Sequence, residues 1–469
     1  SPVMNCLQET IRHSSALCAG EQQYIDRRKE IVLQALNNLQ INCNVDLVPH
    51  IALVASGGGQ RAAVSLIGFL YQLEKEAMLD TLLYIGGVSG STWSMAFLYN
   101  DPQWSSNMDE AVSKLSGPGV ELEHAVAWLT EKSKEEDFSL TDIWGVLTST
   151  FIRCDDSSKK NILNATNPYP VYCALEKHCF LCSLGKWFEV SPHEAGFTEL
   201  NLFVETSLLG SKFHNGELME KKPEMDMISL QGELHNHCAI YPNSTVVTMP
   251  IYTIPQLQRA IWMVVNIPFL LTKLCFCASS PVSFITKQVL PLILKWEWGT
   301  TSNFLYQFQN DSVPDCLQTK EEFHLIDAGL LINMAYPSFL GEKRDIDLII
   351  APESSAGIMF EVDYAAEVNK PFPQIDNKIL EESDWPKNCY VFEGKEKEPT
   401  IIYMPLFNQQ NCKGLISKMK EFSTFTLPFS QEKINFLLET AKTNMKNNRE
   451  IVLREMRKAA LRRMRKMSV

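Results

Sequence analysis

No apolar run in this 469-residue chain is long and unbroken enough to read as a membrane-spanning helix. The nearest, Ile261 to Cys277, is interrupted by Pro268 and Lys273, and is expected to be a buried helix or an interfacial flap over a cleft. The first twenty residues lack the apolar core of a secretory signal. The thirteen cysteines are scattered and odd in number, which suits reduced thiols in the cytosol or nucleus better than a disulfide framework. On that reading the glycosylation triplets at Asn164, Asn243 and Asn310 carry no weight. Cys179 and Cys182 form one CxxC beside His178, but no second pair stands at matching spacing, so no metal is expected. Neither a GxxxxGK[ST] loop nor a dinucleotide GxGxxG is present, and no cofactor is expected. No repeat of 20 to 50 residues is visible.

What is present is a globular composition, 45% hydrophobic and 21% charged, with enough chain for one large domain carrying insertions or two sharing a cleft. The formal charge of −12 argues against a nucleic-acid-binding surface. The charge is unevenly spread. From Lys442 onward ten Lys or Arg face two Glu, so an acidic body precedes a basic tail.

The spacing of Ile25, Val32, Leu36 and Leu39 predicts a leading amphipathic helix over 21–40. Ile51 to Ala55 is a short apolar run that breaks at Ser56-Gly57-Gly58-Gly59 and resumes with helical periodicity. The pattern recurs where Leu82 to Gly86 feeds a helix through Gly87-Val88-Ser89-Gly90-Ser91. Two consecutive strand-to-helix units imply parallel strands. Later apolar runs before Asp327, up to Ile350 and from Thr400 predict further buried strands. The expected fold is α/β, a central mostly parallel sheet flanked by helices, with cap or lid insertions at about 100–300. One domain is expected over 1–440, followed by a basic amphipathic tail over 441–469.

Ser89 is the candidate nucleophile, because flanking glycines permit the strained turn that thrusts a hydroxyl outward between strand and helix. Its competing role is an ordinary helix cap. Gly57, Gly58 and Gly59 lack β-carbons, so their backbone N–H groups can converge on an oxyanion at a helix N-terminus. Arg61 follows them, and alone reads equally well as a helix-surface arginine. The nine histidines offer no clear base; His193, His214 and His324 sit in aromatic or apolar contexts. Asp327 is the better candidate, since it delivers a carboxylate at a strand end, although a cap or turn role suits the residue as well.

Taken together, SGGGQR at Ser56 to Arg61, GVSGSTW at Gly87 to Trp93, KWEWGTTSNFLY from Lys295 and FHLIDAGLLINMAYP around Asp327 resemble the cytosolic phospholipase A2 (group IV) catalytic domain. The blocks stand in the family's order and the resemblance spans about residues 25 to 440. It implies a Ser–Asp dyad of Ser89 and Asp327, an oxyanion loop at Gly57 to Gly59, and phosphate-directed arginines at Arg61 and Arg344. Without the resemblance, Arg344 reads as a surface ion pair among Glu342, Lys343, Asp345 and Asp347. The implied reaction is hydrolysis of the sn-2 ester of a glycerophospholipid through an acyl-enzyme, with lysophospholipase and transacylase side activities. Its rivals are a patatin-like lipase or lysophospholipase, and a catalytically idle scaffold that binds membrane or RNA.

The expected partner is a phospholipid membrane surface, with no nucleic acid and no obligate protein partner. Only 56 residues precede Gly57, too few for the calcium-dependent lipid-binding module of some relatives, so calcium-independent action at cytosolic, nuclear-envelope or endoplasmic-reticulum membrane is expected. The last residues carry no cysteine for a prenyl anchor. Two substitutes suggest themselves: the 261–277 segment, and the tail, whose Ile451, Leu453, Met456, Ala460, Leu461 and Met464 share a helix sector beside crowded arginines. The tail's alternatives are a solvated helix, a nuclear-localisation or RNA-binding segment, or a helix docked on the acidic body.

Overall fold

The architecture is given by a computed structural model that describes residues 10–116, 122–134, 165–177, 186–234, 300–355, 370–380, 385–423 and 429–466, with a few positions between 138 and 146. Its centre is an eleven-stranded sheet. The strands are β1 (Arg12–His13), β2 (Ile51–Ala55), β3 (Tyr84–Val88), β4 (Tyr169–Glu176), β5 (Trp187–Val190) and β6 (Glu194–Phe197). They continue with β7 (Leu202–Glu205), β8 (Leu325–Ile326), β9 (Leu348–Glu353), β10 (Tyr390–Phe392) and β11 (Thr400–Pro405). The spatial order is β1-β7-β6-β5-β4-β3-β2-β9-β11-β10, with β8 pairing β4 from the side.

The five middle strands, β4-β3-β2-β9-β11, run parallel. They are buried throughout, which is why they read as continuous apolar runs rather than alternating ones. Both flanks are antiparallel. Residues 169–176 and 187–205, which fall inside the stretch expected as an insertion, are thus mostly sheet. Strands β5, β6 and β7 are four residues each and joined by short turns, a pattern that aromatic-rich sequence disguises. Of the expected lid, the segment 261–277 lies outside the described residues, as do Cys179 and Cys182.

Helices α1 (Ala19–Asn38), α2 (Gln60–Lys75), α3 (Gly90–Tyr99), α4 (Leu415–Glu421), α5 (Gln431–Asn447) and α6 (Arg449–Lys466) complete the elements used below. Helices α2 and α3 each follow directly on a parallel strand. Helix α5 packs along α2, where Gly68 leaves room for the Leu438 carbonyl.

The boundary expected at 440 falls inside α5, and the basic tail is a helix packed on the body. Arg463 is buried against Asp347 at 2.6 Å and also pairs Asp345. Lys466 reaches Asp345 and Asp347 at 3.0 and 3.1 Å, and Lys458 reaches Glu393 at 2.6 Å. Val452, Leu453, Met456, Ala459 and Ala460 are buried in the same interface. Of the alternatives for the tail, docking on the acidic body is what the structure shows. Among the described residues no helix is long and apolar enough to cross a membrane. Cys316 is disulfide-bonded, which departs from the expectation of reduced thiols throughout; Cys18, Cys43, Cys173, Cys389 and Cys412 are free.

Candidate active site

The β2–α2 and β3–α3 turns lie side by side at the carboxyl ends of adjacent parallel strands, where open α/β sheets place ligands. Their contact is so close that a β-carbon on Gly90 would stand 2.0 Å from the Gly59 carbonyl oxygen. Gly58 and Gly59 take positive φ, 136° and 61°, which lets the loop fold over the strand end. Ser89 itself has φ 51° and ψ −133°, a strained backbone for a residue with a β-carbon, and marks a nucleophile elbow. Ser89 begins α3 but its side chain does not cap it. Instead, Oγ donates to Asp327 Oδ2 at 2.7 Å.

Asp327 arrives from β8, 238 residues further along the chain. Both readings of this residue hold at once. Oδ1 accepts from the Gly329 amide at 2.7 Å and caps the short turn Ala328–Leu330, while Oδ2 faces the serine. The cap fixes the carboxylate plane, and both residues of the pair are buried, Ser89 at 7% and Asp327 at 3% exposure. The loop after Asp327 folds back over the glycines: Ser56 bridges Met334, and the Gly57 amide donates to the Asn333 carbonyl at 2.8 Å.

This corrects one member of the expected oxyanion loop. The Gly57 N–H is committed to Asn333, so Gly57 is not a donor; a β-carbon there would stand 2.9 Å from that of Ser89. Gly57 is required by close approach. Among the described residues no acceptor occupies the amides of Gly58 and Gly59. Asn333 is not legible in the sequence, because its contribution is a main-chain carbonyl, which leaves no signature in side-chain type.

Arg61 is buried at 1% exposure and is no surface arginine. Nε donates to the Ser354 carbonyl and Nη1 to the Phe422 carbonyl, each at 2.6 Å. Nη2 has no hydrogen-bond partner among the described residues and lies beside Gly58, 3.1 Å from where a β-carbon would project. Burial pushes the Arg61 pKa down to about 10, partly offset by the charge of Glu353, so the group stays cationic at neutral pH.

Arg344 is neither a surface ion pair nor placed to meet a head group. It is fully buried over the Tyr84 ring at the start of β3, the opposite end of that strand from Ser89. Its nitrogens are taken by Glu21 at 2.8 and 3.1 Å, Glu189 at 2.9 and 3.1 Å, and the Ser338 carbonyl at 2.7 Å. Burial alone would raise the Glu189 carboxyl pKa, but the charges of Arg344 and Lys343 outweigh it and hold it well below the usual range. Cys18, Glu21 and Glu194 also cluster, but Arg344, Arg12 and Lys343 already supply the cations for both carboxylates. Arg344 therefore braces α1, β5 and the 338–344 segment. His193, one candidate base, bonds Tyr169 through Nδ1 at 2.8 Å and stacks on its ring.

A serine hydroxyl bonded to a buried carboxylate, beside two amides with no acceptor and a cation with a spare donor, is what acyl transfer requires. Residues 51–261 match the family model described as lysophospholipase catalytic domain. Cytosolic phospholipase A2 gamma of Homo sapiens is 29% identical, the match covering 94% of this chain and 94% of that one. The Mus musculus protein of the same name is 27% identical, with coverage of 95% and 92%. Human GIVD cytosolic phospholipase A2 superposes with a TM-score of 0.77 at 24% identity, a likeness of fold covering 97% of this chain and 66% of that one. The order of the motifs, the matched domain and the near full-length similarity agree: the chain is similar throughout its length to cytosolic phospholipases A2.

Proposed function

We propose that this hydrolase of the phospholipase A2 class cleaves the sn-2 ester of glycerophospholipids through a Ser89–Asp327 dyad. The observation that carries the reading is the 2.7 Å bond from Ser89 Oγ to Asp327 Oδ2 beneath the glycine loop. Asp327 takes the hydroxyl proton as Oγ adds to the ester carbonyl. The resulting oxyanion rests on the Gly58 and Gly59 amides, presented at the N-terminus of α2. Collapse expels the lysophospholipid alkoxide, which recovers the proton from Asp327. Water then repeats the sequence on the acyl-enzyme, giving free fatty acid and restoring Ser89. Arg61 turns its spare Nη2 donor toward the substrate phosphate. Every charge in this scheme is met by the chain itself, so hydrolysis should persist in a chelator, independent of calcium.

The substrate places the enzyme at the surface of intracellular membrane, the nuclear envelope or endoplasmic reticulum among the candidates. A second reading, lysophospholipase with transacylation, is favoured by the description of the matched family model. Positional analysis of acyl chains released from a phosphatidylcholine with distinct sn-1 and sn-2 chains separates the two. Ser89→Ala should abolish release from either position; unchanged release would overturn the assignment.

A further inference from the structure

The tail helix spends Arg463 and Lys466 on the body, and a second cationic stretch lies beside the site. Phe422 and Phe429 are each tied to the first turn of α2: the Phe422 carbonyl accepts from Arg61, and the Phe429 amide donates to Gln60 Oε1 at 2.8 Å. Helix α4, which has Phe422 as its C-cap, and α5, which begins just after Phe429, therefore flank the mouth of the site.

Helix α4 buries none of its residues, yet carries Leu415, Ile416 and Met419. Ile416 is 63% exposed, an arrangement that core packing does not explain. Phe422, Phe429 and Phe436 form an aromatic cluster beneath it, with ring centroids 5.3 to 5.7 Å apart. Lys418 lies 4.5 Å over Phe436, and Lys433 5.3 Å over Phe422. Lys413 and Lys420 are exposed beside them. Between 413 and 433 four lysines face two glutamates, a locally cationic stretch on a chain of net charge −12. Trp385, 43% exposed, is tied to the turn before α4 through the bond from Gln409 Nε2 to its carbonyl.

We infer that this rim, α4 with the first turns of α5, is the surface that seats the enzyme on an anionic phospholipid bilayer. The inference rests on the proposed phospholipase reading. Ile416 enters the acyl boundary, the exposed Lys413 and Lys420 meet anionic head groups while Lys418 and Lys433 hold Glu421, and the contact with Arg61 aligns the site with the surface. Aliphatic, aromatic and cationic groups in one band are what a lipid interface selects. Two cationic rims repel each other, which disfavours a second copy of this chain seated rim to rim.

The test uses the full chain with phosphatidylcholine vesicles, with and without phosphatidylserine, in a co-sedimentation assay. Ile416→Asp should weaken binding to both by about tenfold. Lys413→Glu/Lys420→Glu should weaken binding to phosphatidylserine vesicles by roughly fivefold per lysine removed, or more, and change binding to pure phosphatidylcholine little. Hydrolysis of a monomeric short-chain ester and fluorophosphonate labelling of Ser89 should stay as in the parent. Vesicle binding within twofold of the parent in both variants would overturn the inference. So would a parallel loss on the monomeric ester, or light scattering that shows a dimeric parent and a monomeric Ile416→Asp. Failure of the phospholipase reading looks different: Ser89→Ala would leave hydrolysis intact on both substrates.

Discussion

Replacing Arg344 by methionine separates a structural brace from a head-group ligand. The substitution keeps much of the side-chain volume and removes one buried cation shared by Glu21 and Glu189. Glu189 retains Lys343 at 2.8 Å, so Glu21 is the group left uncompensated. Breaking a buried pair in this way costs about 3–5 kcal/mol. With an unfolding entropy of about 2 cal/mol/K per residue, 469 residues give ~1 kcal/mol/K, so Tm should fall by about 3–5 °C. The sign with pH follows from Glu189, whose folded pKa is depressed: the brace contributes fully above the unfolded carboxyl value and is lost as pH falls through the folded one. The deficit of the variant is therefore largest near neutral pH and shrinks on acidification. Glu21→Gln in the same background should recover part of it. Calorimetry across a pH series reads the stability. The ratio of kcat/KM on a phospholipid to that on an uncharged short ester reads head-group recognition, and should not change. A Tm within 1 °C of the parent, combined with a tenfold selective loss on the phospholipid, would refute the brace and return Arg344 to the phosphate.

Gly57→Ala puts a methyl group 2.9 Å from the Ser89 β-carbon and should lower kcat by roughly a hundredfold, with fluorophosphonate labelling slowed in parallel; activity within threefold of the parent would show that the loop yields. His50, partly buried with its Nδ1 on the Arg344 carbonyl, has its pKa pushed down to about 4 by burial and by Arg463. The unfolded chain takes up that proton near pH 6.5 and the folded one only near pH 4. Stability from this group is thus complete above 6.5 and falls by about 2–3 kcal/mol on going down to 4. Urea titrations of His50→Asn should show a flatter slope in that window, and identical slopes would contradict the assignment. Arg463→Ala leaves the buried Asp347 with Lys466 as its remaining ion-pair partner and should cost about 2–4 kcal/mol in unfolding free energy while leaving vesicle affinity unchanged; the opposite pattern would restore the tail as a lipid anchor.

The parts of the fold that could be read directly from sequence are those in which local pattern and tertiary role coincide. The runs at 51–55 and 84–88 are buried on both faces, so apolar continuity, a glycine turn and helical periodicity mark both strand–loop–helix units. Ser89 was visible because its strain needs glycine neighbours. Asp327 is visible as a carboxylate at a strand end, and its two readings cannot be ranked from residue type because each oxygen serves one of them. Arg344 was misplaced since its neighbours in sequence are acidic and suggest a surface. Its partners are Glu21 and Glu189, 323 and 155 residues away, and nothing in the local pattern names them. The tail's basic amphipathic pattern suits a membrane and an acidic protein surface equally. Only the placement of Asp345 and Asp347 next to β9 decides between them.

The central claim is that Asp327 removes the Ser89 proton, and Asp327→Asn addresses it with least disturbance. The amide keeps an oxygen for the serine or for the Gly329 cap and leaves the volume unchanged, but cannot serve as a base. The account predicts a loss of roughly 10²–10⁴ in kcat on a monomeric ester, with fluorophosphonate labelling of Ser89 falling alongside and Tm close to the parent. Activity within tenfold of the parent, with Ser89 still labelled at the parental rate, would contradict it.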